Sequence, residues 1–159
     1  MALVAALTLG VARRHWWLTR VRGWSMYPTL RPGDLVVTRP VYGHDGLHRG
    51  DLVVLDAPGG RRVVKRIVGL PGEAVRVTPG GVSIGGQPVT EPFVSLRGGG
   101  SGSFQVPPDG YVVLGDNRRH STDSRSWDNP YPTRAAIRGR VVGSPLAALV
   151  RGEPPGHGR

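Results

Sequence analysis

Gly50-Asp51-Leu52-Val53-Val54 is the stretch that decides how this chain is read. A glycine turns the backbone, an acidic residue follows, and a run of branched apolar residues begins. Short runs of this kind, bounded by Gly or Pro, are the pattern of strands separated by tight turns. The same residue types recur at Gly33-Asp34-Leu35-Val36-Val37, which reads as a second strand start of the same design and not as a duplicated domain. Tyr111-Val112-Val113-Leu114 and Val63-Val64-Lys65-Arg66-Ile67-Val68 are further runs. The chain holds 25 glycines and 15 prolines in 159 residues, which without pattern would point toward disorder. Here they separate Val-rich runs. The reading is all-β: short antiparallel strands in a partly open barrel-like sheet, with an N-terminal membrane helix ahead of it.

Residues 1–18 are read as that membrane anchor. Ala2 to Ala12 is apolar but shorter than the roughly 20 residues a spanning helix needs, and Arg13-Arg14-His15 interrupts it. Trp16, Trp17 and Leu18 would complete the helix at the membrane interface, which paired tryptophans favour. Residues 19–150 form one domain. Within it, residues 60–78 read as a hairpin-like pair of strands around Gly69-Leu70-Pro71-Gly72. Residues 79–110 read as loop-rich, with Gly98-Gly99-Gly100-Ser101-Gly102-Ser103 flexible and exposed. A final strand is expected near Ile137 to Val142. Pro145 to Val150 is expected to pack as a last turn, and residues 151–159 form a disordered tail.

Of the 21 basic residues, a single one is lysine, Lys65. Arginine keeps its proton in proteins, whereas a buried lysine can release it. Lys65 lies in a Val-rich run, where desolvation lowers the pKa of an amine. The net charge of +10 suits an anionic membrane surface or a nucleic acid. The arginines are scattered among prolines, with no dense basic helix and no aromatic stacking platform, so membrane lipid is expected as a partner and nucleic acid is not. The absence of cysteine excludes disulfides, thiolate catalysis and Cys-based zinc sites. The five histidines show no metal-ligand spacing, and no metal or cofactor is expected.

Three stretches carry chemistry: Gly23-Trp24-Ser25-Met26-Tyr27-Pro28-Thr29-Leu30; Val64 to Glu73; and Gly115-Asp116-Asn117-Arg118-Arg119-His120-Ser121-Thr122-Asp123-Ser124-Arg125. Each alone reads as an ordinary turn, strand or polar loop. Together and in this order the set resembles the type I signal peptidases, membrane-anchored Ser–Lys proteases that remove signal peptides from exported proteins. Gly33-Asp34, Arg49-Gly50-Asp51-Leu52-Val53-Val54 and Pro107-Pro108-Asp109-Gly110-Tyr111 extend the likeness, which covers residues 20 to 143. Arg49-Gly50-Asp51 also spells an adhesion tripeptide, but in this company it reads as a strand start.

The resemblance implies Ser25 as nucleophile and Lys65 as general base. A serine hydroxyl is a weak nucleophile until a neighbour takes its proton, and a lysine does so near neutral pH when burial lowers its pKa from about 10.4. By the same likeness Ser121 hydrogen-bonds and orients the Lys65 amine. Asp123 and Arg125 form a supporting ion pair, with Asp116 and Ser124 behind them. The Ser25 backbone N–H is one oxyanion donor. Some family members supply the second from a serine two residues before the nucleophile, where this chain has Gly23, so that donor is unassigned. Trp24 stands where a small or acidic residue is usual. Small substrate residues at −1 and −3 would enter pockets as the substrate adds to a sheet edge. Met26, Leu35 and Val36 are expected to line these pockets.

The expected function is cleavage of signal-peptide-bearing precursors by a membrane-associated, extracytoplasmic domain, although the positive-inside rule pulls Arg13 and Arg14 the other way. A dedicated maturation protease of the same family, acting on one precursor, is the alternative within the class. An inactive basic module that binds membranes or nucleic acid is the alternative outside it, and would make Ser25 and Lys65 dispensable.

Overall fold

The structure is a computed structural model that describes residues 16–43 and 45–143. The expectations for residues 1–15, for Pro145 to Val150 and for the tail 151–159 lie outside the described residues. Among those described, no helix is long and apolar enough to cross a membrane.

The described residues hold ten strands: β1 (Trp17–Arg20), β2 (Leu35–Pro40), β3 (Leu52–Asp56), β4 (Arg62–Gly69), β5 (Ala74–Thr78), β6 (Gly81–Ile84), β7 (Gln87–Val89), β8 (Gly102–Gln105), β9 (Val112–Leu114) and β10 (Ile137–Gly143). They form two open antiparallel sheets, ordered β1-β2-β10-β3-β4-β9 and β7-β6-β5-β8. The all-β expectation and the final strand are as read. The repeated strand start is a repeated local device. Gly33 and Gly50 have φ of +96° and +94°, where glycine carries no steric penalty. Asp34 Oδ2 accepts from Arg31 N and Asp51 Oδ2 from His48 N, at 2.8 and 2.9 Å.

The structure corrects the reading in three places. Trp17 and Leu18 do not end a helix but open β1, paired with Thr38 and Val37 of β2. Their exposure alternates with period two, Trp17 and Thr19 half-buried and Leu18 and Arg20 exposed, which is the strand periodicity. Residues 60–78 are not a hairpin: β4 pairs with β3 and β9, and β5 with β6 and β8. The turn Gly69–Gly72 hands the chain from one sheet to the other. A Cβ on Gly69 would lie 2.7 Å from Val75 Cγ2 and 2.9 Å from Val112 Cβ, so the corner closes only around glycine. Arg49 fastens it with two hydrogen bonds to Glu73, at 2.9 and 2.5 Å.

Residues 79–110 are loop-rich as read, with 11 of the 32 in the short strands β6, β7 and β8. Within them, however, Gly98 to Ser103 is not a free linker. Gly102 and Ser103 belong to β8, and the Gly98 and Gly100 carbonyls accept from Arg125 Nη1 at 3.5 and 3.4 Å. One apolar cluster joins both sheets, with Val68, Val112 and Leu114 packed against Val75, Val77, Val82 and Phe104. A second fills the first sheet around Val53, Leu55, Ile67 and Val113. A third, of Val21, Met26, Leu30 and Val36, lies beneath the turn that carries Ser25.

Candidate active site

Ser25 sits in the turn between β1 and β2. Tyr27 N donates to Trp24 O and Leu30 N to Met26 O, at 3.1 and 2.9 Å. Met26 and Leu30 plug the turn into the third cluster and leave Ser25 half-buried above it. Lys65 lies in the middle of β4, opposite Val53 of β3, and is 3% exposed. Its Nζ donates to Ser25 Oγ at 2.7 Å. Period two turns the next residue to the other face. Arg66 there donates Nε and Nη2 to the Asp116 carboxylate at 2.8 and 2.6 Å, and its guanidinium stacks 3.8 Å from the Phe93 ring centroid. The amine and the guanidinium are neighbours in sequence but lie on opposite faces of β4.

Burial pushes the Lys65 pKa down from 10.5 to about 8. Asp123 works against this, Arg125 and Arg61 with it, and Asp116 against it. Asp123 is close enough to oppose the shift, but Arg125 donates Nε and Nη2 to it at 2.8 and 2.9 Å and offsets much of its charge. Burial alone would raise the Asp123 pKa. Arg125 and the Gly115 N–H overcome that and hold the carboxylate below its ordinary value.

The stretch Gly115 to Arg125 closes over the Ser25 turn. Asn117 N donates to Ser25 O at 3.0 Å and Asn117 Nδ2 to Trp24 O at 3.1 Å. Gly115 N donates to Asp123 Oδ2 at 3.0 Å, and Val113 N to Ser124 Oγ at 3.0 Å. Thr29 Oγ1 donates to Asp116 Oδ2 at 2.5 Å. Asp116 thereby ties the Ser25 turn, β4 and the closing loop together. Ser25, Lys65, Asp116, Asp123, Ser124 and Arg125 are thus brought to one place.

Ser121 also lies here but does not make the expected bond to Lys65. Its hydroxyl is buried without a hydrogen-bond partner among the described residues; it lies beside the Asp123 carboxylate and favours its charged form without closing a well-formed bond. The loop also approaches Gly115 closely, where a Cβ would lie 2.5 Å from Ser25 O and closer still to Ser121 Oγ.

A groove of about 860 Å³ runs past Ser25 and Lys65 between β1 and the start of β4. Met26 contributes to its lining. Leu35 and Val36 do not: Val36 is fully buried in the third cluster, and Leu35 pairs with Arg20 on β2, behind the edge strand. The apolar lining comes instead from Val54, Ala57, Val63 and Trp127. Among the described residues no backbone carbonyl accepts from the Ser25 N–H, while a Cβ at Gly23 would meet nothing within 4 Å, so that position has room but offers no side-chain donor.

The sequence reading missed Thr29, Asn117 and the buried pair of Arg118 with Glu91, whose guanidinium and carboxylate meet at 3.0 and 2.5 Å. Thr29, Asn117 and Arg118 stood in the quoted stretches, but nothing local says which polar side chain turns inward. Glu91 carried no signal at all. Among the described residues no group of His, Asp and Glu could hold a metal ion. The arrangement can perform proton transfer: a desolvated amine with a pKa of about 8, at hydrogen-bond distance from a hydroxyl, can take its proton at mildly alkaline pH.

Comparison with known proteins agrees with this geometry. Residues 1–144 match the family described as signal peptidase, peptidase S26. Signal peptidase I from Leptolyngbya laminosa is 39% identical over 129 residues, covering 74% of this chain and 63% of that protein. Signal peptidase I T from Bacillus subtilis is 35% identical over 140 residues, covering 79% of this chain and 72% of the relative. A crystal structure of a signal peptidase I from Enterococcus faecalis superposes with a TM-score of 0.55 at 27% identity, covering 62% of this chain and 98% of that one. With a matching family, matching relatives and a shared architecture, the chain belongs to the signal peptidase family, peptidase S26.

Proposed function

We propose that this chain is a membrane-associated serine endopeptidase that removes N-terminal signal peptides from exported precursors, its domain facing the extracytoplasmic side. Ser25 is the nucleophile and Lys65 the general base. The observation that carries the reading is the 2.7 Å contact between Lys65 Nζ and Ser25 Oγ, made by an amine whose pKa burial lowers to about 8. Neutral Lys65 takes the hydroxyl proton as Ser25 Oγ attacks the scissile carbonyl carbon. The oxyanion that forms meets the Ser25 N–H. The ammonium then gives its proton to the departing amine, leaving an acyl-enzyme. Lys65, neutral again, draws a proton from the water that hydrolyses it. Asp116, Asp123, Arg125 and Ser124 hold the loop and β4 in register, and Ser121 fills the space beside Gly115. Membrane lipid is the second partner.

The test is cleavage of a signal-peptide substrate bearing Ala-x-Ala before the cut, in detergent, from about pH 6 to about pH 10. Activity of the parent should rise with pH through an apparent pKa near 8. Ser25→Ala and Lys65→Arg should each lose at least about a hundredfold in kcat. Lys65→Arg keeps the charge and removes the titrating amine, so activity retained in that variant would overturn the mechanism.

A further inference from the structure

We infer that the open apolar pocket on the far side of Trp24 is a subsite for a large apolar side chain at one of the first two residues after the scissile bond. This rests on the proposed function and extends it to the part of the substrate that leaves as the mature chain. The pocket has a volume of about 570 Å³ and is lined by Trp24, Tyr27, Leu96, Asn117 and His120. Trp24 and His120 also line the groove, whereas Tyr27, Leu96 and Asn117 do not. The two cavities therefore meet at the residue that precedes Ser25. A polypeptide that lies in the groove past Ser25 can extend into this pocket over Trp24 and His120, which line both. With the small residues before the cut held in the groove, what enters the pocket is the segment after it.

The walls are built in advance of any substrate. Asn117 fixes the Trp24 and Ser25 carbonyls through its side chain and its backbone N–H, so the Trp24 backbone is held in register with Ser25. The Trp24 and Tyr27 rings meet edge to face with centroids 5.7 Å apart, and the Arg31 guanidinium lies 5.7 Å from the Tyr27 centroid. Leu96 is bridged to Asn117 and so follows the same loop. Trp24 is 60% exposed and Leu96 37%, which leaves apolar surface uncovered next to Ser25. The Asn117 amide is already engaged by Trp24 O. With Trp24, Tyr27 and Leu96 as walls and His120 at the border with the groove, selection in the pocket is mainly by apolar and aromatic contact. A Trp before the serine, where the family resemblance leads one to expect a small or acidic residue, supplies the wall that creates the subsite.

The test pairs cleavage with binding, using the full chain in detergent. Two Ala-x-Ala substrates are compared that differ in carrying Phe or Ser at both positions after the cut. The parent should favour the Phe substrate by about tenfold in kcat/KM, the scale of partly burying one aromatic side chain. In Leu96→Ser and in Trp24→Ala the ratio should fall to about twofold or less. Equal rates on both substrates in the parent would overturn the subsite, and so would a preference that survives both variants. In the binding arm, Ser25→Ala is titrated with short peptides that begin with the Phe or Ser segment. The Phe peptide should bind more tightly, with the advantage lost when Leu96→Ser is added. If the parent cleaves neither substrate, the proteolytic reading falls. The pocket is then judged by the peptides alone, supported by a Leu96-dependent advantage for Phe and refuted by equal binding.

Discussion

Lys65 carries its charge at a loss, and the loss can be measured without any substrate. In the unfolded chain the amine keeps its proton up to about pH 10.5, and in the folded chain burial moves that point to about 8. Below about pH 8 both states are protonated and the folded state bears the desolvation cost. Between about 8 and 10.5 the unfolded state binds the extra proton, so stability rises with pH. At about 1.4 kcal/mol for each pKa unit, the penalty at neutral pH is at most about 3 kcal/mol. Lys65→Met should therefore be inactive yet more stable than the parent at neutral pH, by up to about 3 kcal/mol, and the advantage should vanish as pH approaches about 10.5. Urea denaturation of both proteins at the two ends of that window measures it. A Met variant no more stable than the parent at neutral pH would mean that the amine is not desolvated. Lys65 stood out in the sequence because residue type and an apolar run are both local facts. The orientation of the Ser121 hydroxyl was not legible, because it depends on how a loop far along the chain packs against Ser25 and Lys65.

Among the elements, the loop from Gly115 to Arg125 decides whether Ser25 and Lys65 meet. It is held at Gly115 from two sides: Asp123 takes its N–H, and Arg118 Nε donates to its carbonyl at 3.0 Å. A methyl group at Gly115 has nowhere to go, since Ser25 O and Ser121 Oγ both stand within contact distance of its position. Gly115→Ala should push the loop off the Ser25 turn and lower kcat about a hundredfold, the scale of an ångström of misplacement, with smaller changes in KM. Circular dichroism should show an unchanged sheet. Parent-like kcat in this variant would show that the close approach is not needed. The same scale separates what the sequence revealed from what it hid. β2, β3, β4 and β9 announced themselves through Val-rich runs. β7 and β8 are Gln87-Pro88-Val89 and Gly102-Ser103-Phe104-Gln105, each with a single large apolar residue, too little for a period to register. The hairpin expected over residues 60–78 failed for a related reason: a turn says that the chain reverses, but not which sheet it rejoins.

Taken as a whole, the molecule separates the site from much of its support. Ser25, Lys65 and the groove belong to the first sheet and the loops around it, and the second sheet contributes no groove residue among those described. Yet the two sheets share one core, in which Phe104 of β8 packs with Val68, Val112 and Leu114 of the first sheet and meets the Tyr131 ring edge to face at 6.2 Å. A shared core makes unfolding cooperative, because the apolar residues of that cluster lose their cover when either sheet unfolds. Phe104→Ala should then cost about 3 to 5 kcal/mol in global stability. It should leave kcat/KM within about twofold of the parent well below the melting temperature, because the 2.7 Å contact between Lys65 and Ser25 joins β4 to the turn before β2, and Phe104 pairs with neither. Tryptophan fluorescence, with Trp17, Trp24 and Trp127 all lining the groove, follows the first sheet, while far-UV circular dichroism follows both. In the parent and in Phe104→Ala the two probes should trace one coincident transition in urea. A variant in which circular dichroism melts first, with the fluorescence transition left where the parent has it, would show that the first sheet stands by itself and that the second is an appended layer.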